Sequence, residues 1–200
     1  PPETSVFPLP YVDRFDTQSM HALPRYFIDQ AGVFEMVNRP GSRGRCLRQV
    51  VPKLGIEWRH HKNFDPFTIM GDERWRDYTV EVETLLDGMG YASVIGRTQS
   101  IKQSDVPPLG YWLKVSHDGT WALVRHQDEI ARGKTRFTAD RWHRLGLQFK
   151  GNQITALVDG NVVAKVSDST YQKGLAGFGC GWQLSFFDNF MIRPTSKRTR

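Results

Sequence analysis

Residues 111–125 read YWLKVSHDGTWALVR. Tyr111, Leu113 and Val115 alternate with Trp112, Lys114 and Ser116, the period of a strand with two unlike faces. His117-Asp118-Gly119-Thr120 follows, and Trp121 and Leu123 then resume the apolar beat. Asp-Gly between two alternating runs is a strong short-range hairpin signal, because its residues accept the left-handed backbone of a tight turn. This stretch sets the reading of the whole chain.

The same grammar extends in both directions. Tyr78–Leu86 is YTVEVETLL, with Tyr78, Val80 and Val82 on one face and Thr79, Glu81 and Glu83 on the other. Tyr91–Arg97 is a further strand. Trp142–Lys150 turns through Gly151-Asn152 into Ile154–Val158, and Asp159-Gly160 turns again into Val162–Val166. Leu175–Gly179 and Leu184–Ile192 close the chain. Neither a convincing helix nor an internal repeat interrupts this series. Short strands at this spacing predict an all-β sandwich or jelly roll.

The chain has 200 residues, enough for one such domain with a sizeable core. The opening PPETSVFPLP, residues 1–10, reads as an extended linker. The domain proper spans 11–193, and 194–200 is a basic tail. No secretory leader is read at the start, as in a chain from which one has been removed. The net charge of +6 is concentrated at the end, in Arg193, Lys197, Arg198 and Arg200. A nucleic-acid face needs basic residues interleaved with stacking aromatics, which this tail lacks. No apolar run reaches the roughly 18 residues of a membrane span.

The composition offers little conventional catalytic chemistry. Cys46 and Cys180 lack metal or redox spacing; both fall in strands, and buried free thiols are the simpler reading beside a disulfide. His60-His61 point to opposite faces of a strand and do not chelate one metal. Gly177-Phe178-Gly179-Cys180-Gly181 opens no helix, so its glycines read as close packing or a bulge rather than a phosphate loop. A jelly-roll glucanase carries Glu-x-Asp-x-x-Glu on one strand. Here Glu81 and Glu83 share a face, but Leu86 stands in the third place, so the acid/base and nucleophile set is incomplete. No asparagine begins an Asn-X-Ser/Thr acceptor, which mildly favours a bacterial source.

The two ends carry the most concentrated oxygen donors. Asp13-Arg14-Phe15-Asp16 lies near the start and Phe186-Phe187-Asp188-Asn189-Phe190 near the finish. If first and last strands pair, these carboxylates converge, and hard oxygen ligands suit Ca²⁺. The competing reading is ordinary turn chemistry by Asp and Asn.

At this point a resemblance emerges. Phe15-Asp16, Asp29-Gln30-Ala31-Gly32-Val33-Phe34-Glu35, Leu47-Arg48-Gln49-Val50, Gly55-Ile56-Glu57-Trp58, Gly96-Arg97 and Phe187-Asp188-Asn189-Phe190 occur in that order. Together they resemble the C-terminal lectin-like domain of glycoside hydrolase family 59, the galactocerebrosidases, from about Tyr11 to Arg193. The resemblance implies a concanavalin A-like or laminin G-like jelly-roll β-sandwich. It also implies a non-catalytic piece, since the family's catalytic glutamates lie on a separate TIM barrel. It further implies a calcium ion near the chain ends, matched here by Asp13 or Asp16, Asp188 and the backbone carbonyl of Arg45. Arg14 stands where the family has a second acid.

Sugars stack their apolar faces on exposed aromatic rings while polar groups orient the hydroxyls. On the alternation of residues 111–116, Trp112 and Lys114 point away from the core, and Arg97 is expected to join them on a concave face. Trp58, with Arg59 and His60, is a second cluster. Trp75 and Trp142, each just before a strand, read as core packing.

The expected function is therefore carbohydrate binding, with a galactose-containing glycan or glycolipid headgroup as ligand and calcium as a structural clip. The alternative is a packing module that shapes the pocket of a catalytic TIM-barrel domain without its own sugar affinity. A jelly-roll hydrolase or lyase is third. The expected location is secreted, periplasmic or lysosomal.

Overall fold

The computed structural model describes residues 7, 9–52, 64–99 and 109–195. Among them are fifteen strands and no helix. In chain order they are β1 (Tyr11–Asp13), β2 (Ile28–Ala31), β3 (Phe34–Asn38), β4 (Arg45–Gln49), β5 (Phe67–Met70), β6 (Tyr78–Leu86), β7 (Tyr91–Thr98) and β8 (Tyr111–Ser116). They continue as β9 (Thr120–Arg125), β10 (Asp128–Lys134), β11 (His143–Lys150), β12 (Gln153–Val158), β13 (Asn161–Ser167), β14 (Leu175–Cys180) and β15 (Ser185–Pro194). The strands form two antiparallel sheets. The first runs β13-β12-β11-β6-β15-β4-β3, with β1 also on β15. The second runs β10-β9-β8-β7-β14-β5-β2. This is the jelly-roll β-sandwich, with each sheet burying one face against the other.

Alternation decides which residues meet in the middle. From the first sheet come Val80, Val82, Leu145, Leu147, Phe149, Phe187 and Ile192, all buried. From the second come Val94, Tyr111, Leu113, Val115, Leu123 and Phe178. Phe178 and Phe187 stack across the gap with ring centroids 4.6 Å apart. Trp75 joins this core beside Tyr78, as its position before a strand suggests.

The glycines of β14 earn their place by close approach. A Cβ on Gly177 would sit 2.1 Å from the Thr68 carbonyl oxygen, and one on Gly179 would sit 2.5 Å from that of Pro66. A register shift also falls between Leu175 and Gly177 where β14 meets β7. The alternate-glycine run thus allows both tight packing and a bulge.

First and last strands do pair, with Asp13 opposite Phe190. Cys46 and Cys180 are buried free thiols in opposite sheets. No ranges follow from the sequence for the short strands β1 to β5, and β10, with its mostly exposed residues, gives no strong alternation signal. Arg97 takes a left-handed backbone conformation, φ 46°, at the end of β7.

Candidate functional site

The outer face of the second sheet holds two of the residues expected to meet a sugar. Register places Ser93 opposite Lys114 and Ile95 opposite Trp112. On the other side of β7, Gly179 and Gly177 lie opposite Ser93 and Ile95. These glycines let β5 approach closely, and the rings of Phe67 and Trp112 meet edge to face on this side of the sheet, 5.0 Å apart. Trp112 does face away from the main core. It is nonetheless only 6% exposed, packed in a second apolar cluster with Phe67, Ile69 and Ile95. A large aromatic surface is stabilised by such cover, so this ring is not an open stacking platform.

Lys114 stands at the rim of that cluster and keeps part of its side chain in solvent. Its Nζ lies 4.7 Å from the Tyr91 ring centroid and 5.8 Å from that of Trp112. It donates to the Tyr91 hydroxyl at 3.3 Å and pairs with Asp65 at 3.7 Å. The Tyr91 hydroxyl in turn donates to Asp65. Burial, then the Asp65 charge, holds the Tyr91 phenol well above its ordinary range. Beside this trio, the Ser93 hydroxyl and the Trp112 indole N–H are buried with no hydrogen-bond partner among the described residues. Buried polar groups are rarely left so.

Arg97 does not join this face. Its left-handed backbone and the adjacent register shift turn the side chain to one end of the sandwich, where it is 1% exposed. There it donates to the carbonyls of Arg76, Tyr171 and Gly151 and pairs with Asp77. Its guanidinium thus does structural work, apart from Trp112 and Lys114. Trp58, with its neighbours Arg59 and His60, lies outside the described residues.

The corner at the chain ends gathers some of the expected oxygen donors. Asp16 Oδ1 accepts the Arg45 backbone N–H at 3.0 Å. In the ladder of β3 and β4, Arg39 N–H donates to the Gly44 carbonyl. Asn38 and Arg45 are therefore a non-hydrogen-bonded pair, and the N–H and carbonyl of Arg45 face away from β3. Asp188 is nearly buried; its Oδ1 accepts the Asn189 N–H at 2.7 Å and its Oδ2 accepts from Arg39. Burial pushes the Asp188 carboxyl up to about 6, with Glu83 and Asp16 adding to the rise and Arg39 opposing it. Asp13 is spent elsewhere. Its carboxylate accepts the Phe15 N–H at 2.8 Å and the Tyr11 hydroxyl at 3.0 Å, which is turn chemistry. Among the described residues no three His, Cys, Asp or Glu side chains converge as a metal cage.

The outer face of the first sheet carries Glu81 and Glu83 on β6, side by side as alternation requires. Glu83 is pinned: Oε2 accepts from Asn189 Nδ2 at 2.7 Å and Arg39 Nη2 at 3.2 Å, and Oε1 from Arg144 Nη2 at 2.7 Å. Burial would raise its carboxyl, but these donors and charges hold it below the ordinary range. Glu81 pairs with Arg193 at 3.8 Å. The third catalytic place is filled by buried Leu86.

Trp142 departs from the expected core role. It is half-buried at the surface, its Nε1 donating to the Pro40 carbonyl at 3.3 Å, with the Arg39 guanidinium 3.8 Å from its ring centroid. A cleft of about 360 Å³ lies beside it, lined by Trp142, Glu81, Glu83, His143, Arg144, Asp159 and Gly160. The Arg141-Trp142 context gives no sequence signal for this, because the partners come from the hairpin of β3 and β4, some hundred residues earlier.

Comparison with known proteins places this architecture among carbohydrate-related folds. The chain matches the family described as galactocerebrosidase, C-terminal lectin domain, over residues 29–195. No curated protein sequence matches the chain. Among solved structures, it is similar to the carbohydrate-binding module CBM66 from Bacillus subtilis, with 16% identity, a TM-score of 0.61, and coverage of 84% of this chain and 95% of that one. A Bacillus subtilis protein of unknown function with a galectin-like fold is similar at 12% identity and TM-score 0.62, covering 94% and 96% of the two chains. The Crh5 transglycosylase is similar at 12% identity and TM-score 0.61, covering 98% and 88%. At these identities the likeness is one of fold.

Proposed function

Because the chain belongs to the family of galactocerebrosidase C-terminal lectin domains, we propose that it is a non-catalytic carbohydrate-binding domain of a galactosidase-type glycoside hydrolase. The observation that carries this reading is the Asp65–Tyr91–Lys114 trio at the rim of an apolar patch, beside two buried polar groups that have no hydrogen-bond partner among the described residues. Sugar sites combine apolar area with a few convergent donors and acceptors. Lys114 donates to sugar oxygens, Asp65 accepts from hydroxyls, and the covered Trp112–Phe67 cluster supplies a rigid base.

The non-catalytic half of the reading rests on the other face. A general acid must hold a proton near working pH, whereas Glu83 is kept ionised by three donors. Leu86 leaves no third carboxylate on the strand.

Isothermal titration with lactose, a galactose-containing probe, tests the site. Lys114→Ala and Asp65→Asn each remove a charge-assisted hydrogen bond worth about 1.5–3 kcal/mol, so affinity falls about tenfold or more. Wild-type affinity in both folded variants sinks this placement of the sugar.

We also propose that calcium clips the chain ends, held by Asp16, Asp188 and the Arg45 carbonyl, with Asp13 outside the shell. The support is the nearness of the Glu83 and Asp16 carboxylates to buried Asp188 and the contact of Asp16 with the Arg45 backbone N–H. Calcium would supply electrostatic cross-linking, in competition with Arg39 for Asp188. Chelation should then lower the melting temperature of the calcium-loaded domain; an unchanged melting temperature would count against the ion.

A further inference from the structure

The cleft beside Trp142 lies on the sheet face opposite to the Lys114 site. Val80 and Val82 of β6 point into the core, so Glu81 and Glu83 point out from the first sheet. Lys114 points out from the second sheet. Two packed sheets, roughly 10 Å apart, separate the two places.

Three features distinguish this cleft from an ordinary solvated surface. The first is an aromatic ring held in a set orientation. Arg39 lies over Trp142 and is itself anchored by Ser42, Asp188 and Glu83, while the indole N–H is tied to Pro40. Trp142 lines the cleft, and the Arg39 guanidinium, 3.8 Å from its ring centroid, is not among the lining residues. A ring immobilised beforehand loses little entropy when a ligand stacks on it.

The second feature is mixed polarity around that ring. Glu81, Glu83 and Asp159 present carboxylate oxygens, which accept from hydroxyls, and Arg144 presents guanidinium donors. Their oxygens and nitrogens already have protein partners. Arg39 and Arg144 pair with Glu83, Arg193 pairs with Glu81, and Asp159 is hydrogen-bonded to His143 at 2.7 Å and to the Arg144 backbone N–H at 2.8 Å. A charged ligand would have to break these pairs, whereas a neutral ligand rich in hydroxyls only adds to them.

The third feature is size and floor. The volume of about 360 Å³ lies near the lower end of ligand pockets, which run from roughly 300 to 1,000 Å³. That suits one or two sugar rings. Gly146, opposite Glu81 on β11, adds no side chain to the outer face beside it, and a Cβ there would meet Glu81 Cγ at 3.3 Å.

From these features we propose that the Trp142 cleft is a second carbohydrate site, taking a neutral mono- or disaccharide unit through ring stacking on Trp142 and hydroxyl contacts to Glu81, Glu83, Asp159 and Arg144. The proposal rests on the carbohydrate-binding reading of the domain and adds a second valency to it. Sites on opposite faces cannot be bridged by one disaccharide, so the domain engages two glycan segments at once. Bivalency of this kind raises avidity on a dense glycan surface without stronger individual contacts.

The test is a titration of the isotope-labelled domain with a panel of neutral disaccharides: lactose, maltose, cellobiose and chitobiose. Amide and indole resonances report each face separately. The expected result is two independent sets of perturbed signals. One surrounds Glu81, Glu83, Trp142, Arg144 and Gly160; the other surrounds Tyr91, Ser93 and Lys114. Trp142→Ala abolishes only the first set and Lys114→Ala only the second. Glu81→Gln, which keeps the ring in place, weakens the first set and guards against misfolding of the Trp142 variant. Perturbation of the Lys114 set alone across the panel overturns the second site and leaves the first reading standing. Perturbation of neither set overturns both. A first set that survives unchanged in folded Trp142→Ala and Glu81→Gln also overturns the second site.

Discussion

Replacing Arg97 by alanine should be among the most damaging single changes on the second sheet. Its guanidinium donates to the Arg76 carbonyl at 3.0 Å, the Tyr171 carbonyl at 3.1 Å and the Gly151 carbonyl at 2.8 Å, and pairs with Asp77 at 3.3 Å. It also lies 4.8 Å from the Phe149 ring centroid. It thus ties the end of β7 to three separate connections. A hydrogen bond from a charged group contributes about 1.5–3 kcal/mol. A pocket of about 330 Å³ opens beside these groups, so water replaces part of the loss after truncation. The expected cost is about 3–5 kcal/mol, from hydrogen bonds of that strength to three backbone carbonyls, partly offset by the water that enters. Arg97→Lys should lose about 2 kcal/mol, because one ammonium cannot span acceptors arranged for a planar fork. Arg97→Gly should be about 1 kcal/mol less harmful than Arg97→Ala, since φ is 46° and only glycine adopts it freely. Urea unfolding followed by tryptophan fluorescence measures all three. A loss below about 1 kcal/mol for Arg97→Ala, or equal losses for the Ala and Gly variants, would refute this account.

Two further outcomes test other parts of the fold. Burial alone would raise the Asp168 carboxyl, but hydrogen bonds from Tyr111, Thr170 and Arg125 hold it down to about 2. Its folded value lies below the model-peptide value of 3.8. The stabilisation is therefore present above about pH 4 and is lost as pH falls toward 2. Urea midpoints across that window should fall more steeply in the wild type than in Asp168→Asn, and parallel curves would remove Asp168 from the explanation of acid unfolding. Gly177→Ala should cost about 3 kcal/mol or more, because its Cβ meets the Thr68 carbonyl oxygen at 2.1 Å. Gly151→Ala, with nothing within 4 Å, should cost only the backbone strain of about 1–2 kcal/mol. Equal melting temperatures for the two variants would contradict the close-packing role of the β14 glycines.

Local periodicity carried much of the architecture. YTVEVETLL and YWLKVS coincide with β6 and β8 at both ends, because a strand's period of two is written in neighbouring residues. The acidic motifs at each terminus were legible, but their convergence stayed conditional on the pairing of first and last strands, which the structure supplies; the absent third carboxylate was legible from Leu86 alone. The family motifs located the lectin-like fold.

The sites were less legible, for a common physical reason. Alternation states which face of a sheet a side chain occupies, and not what lies over that face. Trp112 does point away from the core, yet Phe67, Ile69 and Ile95 from other strands bury it. Trp142 looked like core packing until the β3–β4 hairpin supplied Arg39 and Pro40 to hold it at the surface. Arg97 keeps strand phase by count, but a left-handed residue and a register shift redirect it. The sequence by itself determined most strands from Tyr78 onward, their two-faced character and the missing catalytic carboxylate, which depend on contacts within a few residues. Tertiary structure decided which aromatics are covered, which arginines are structural and where a cleft opens, because those depend on strands brought together from distant parts of the chain.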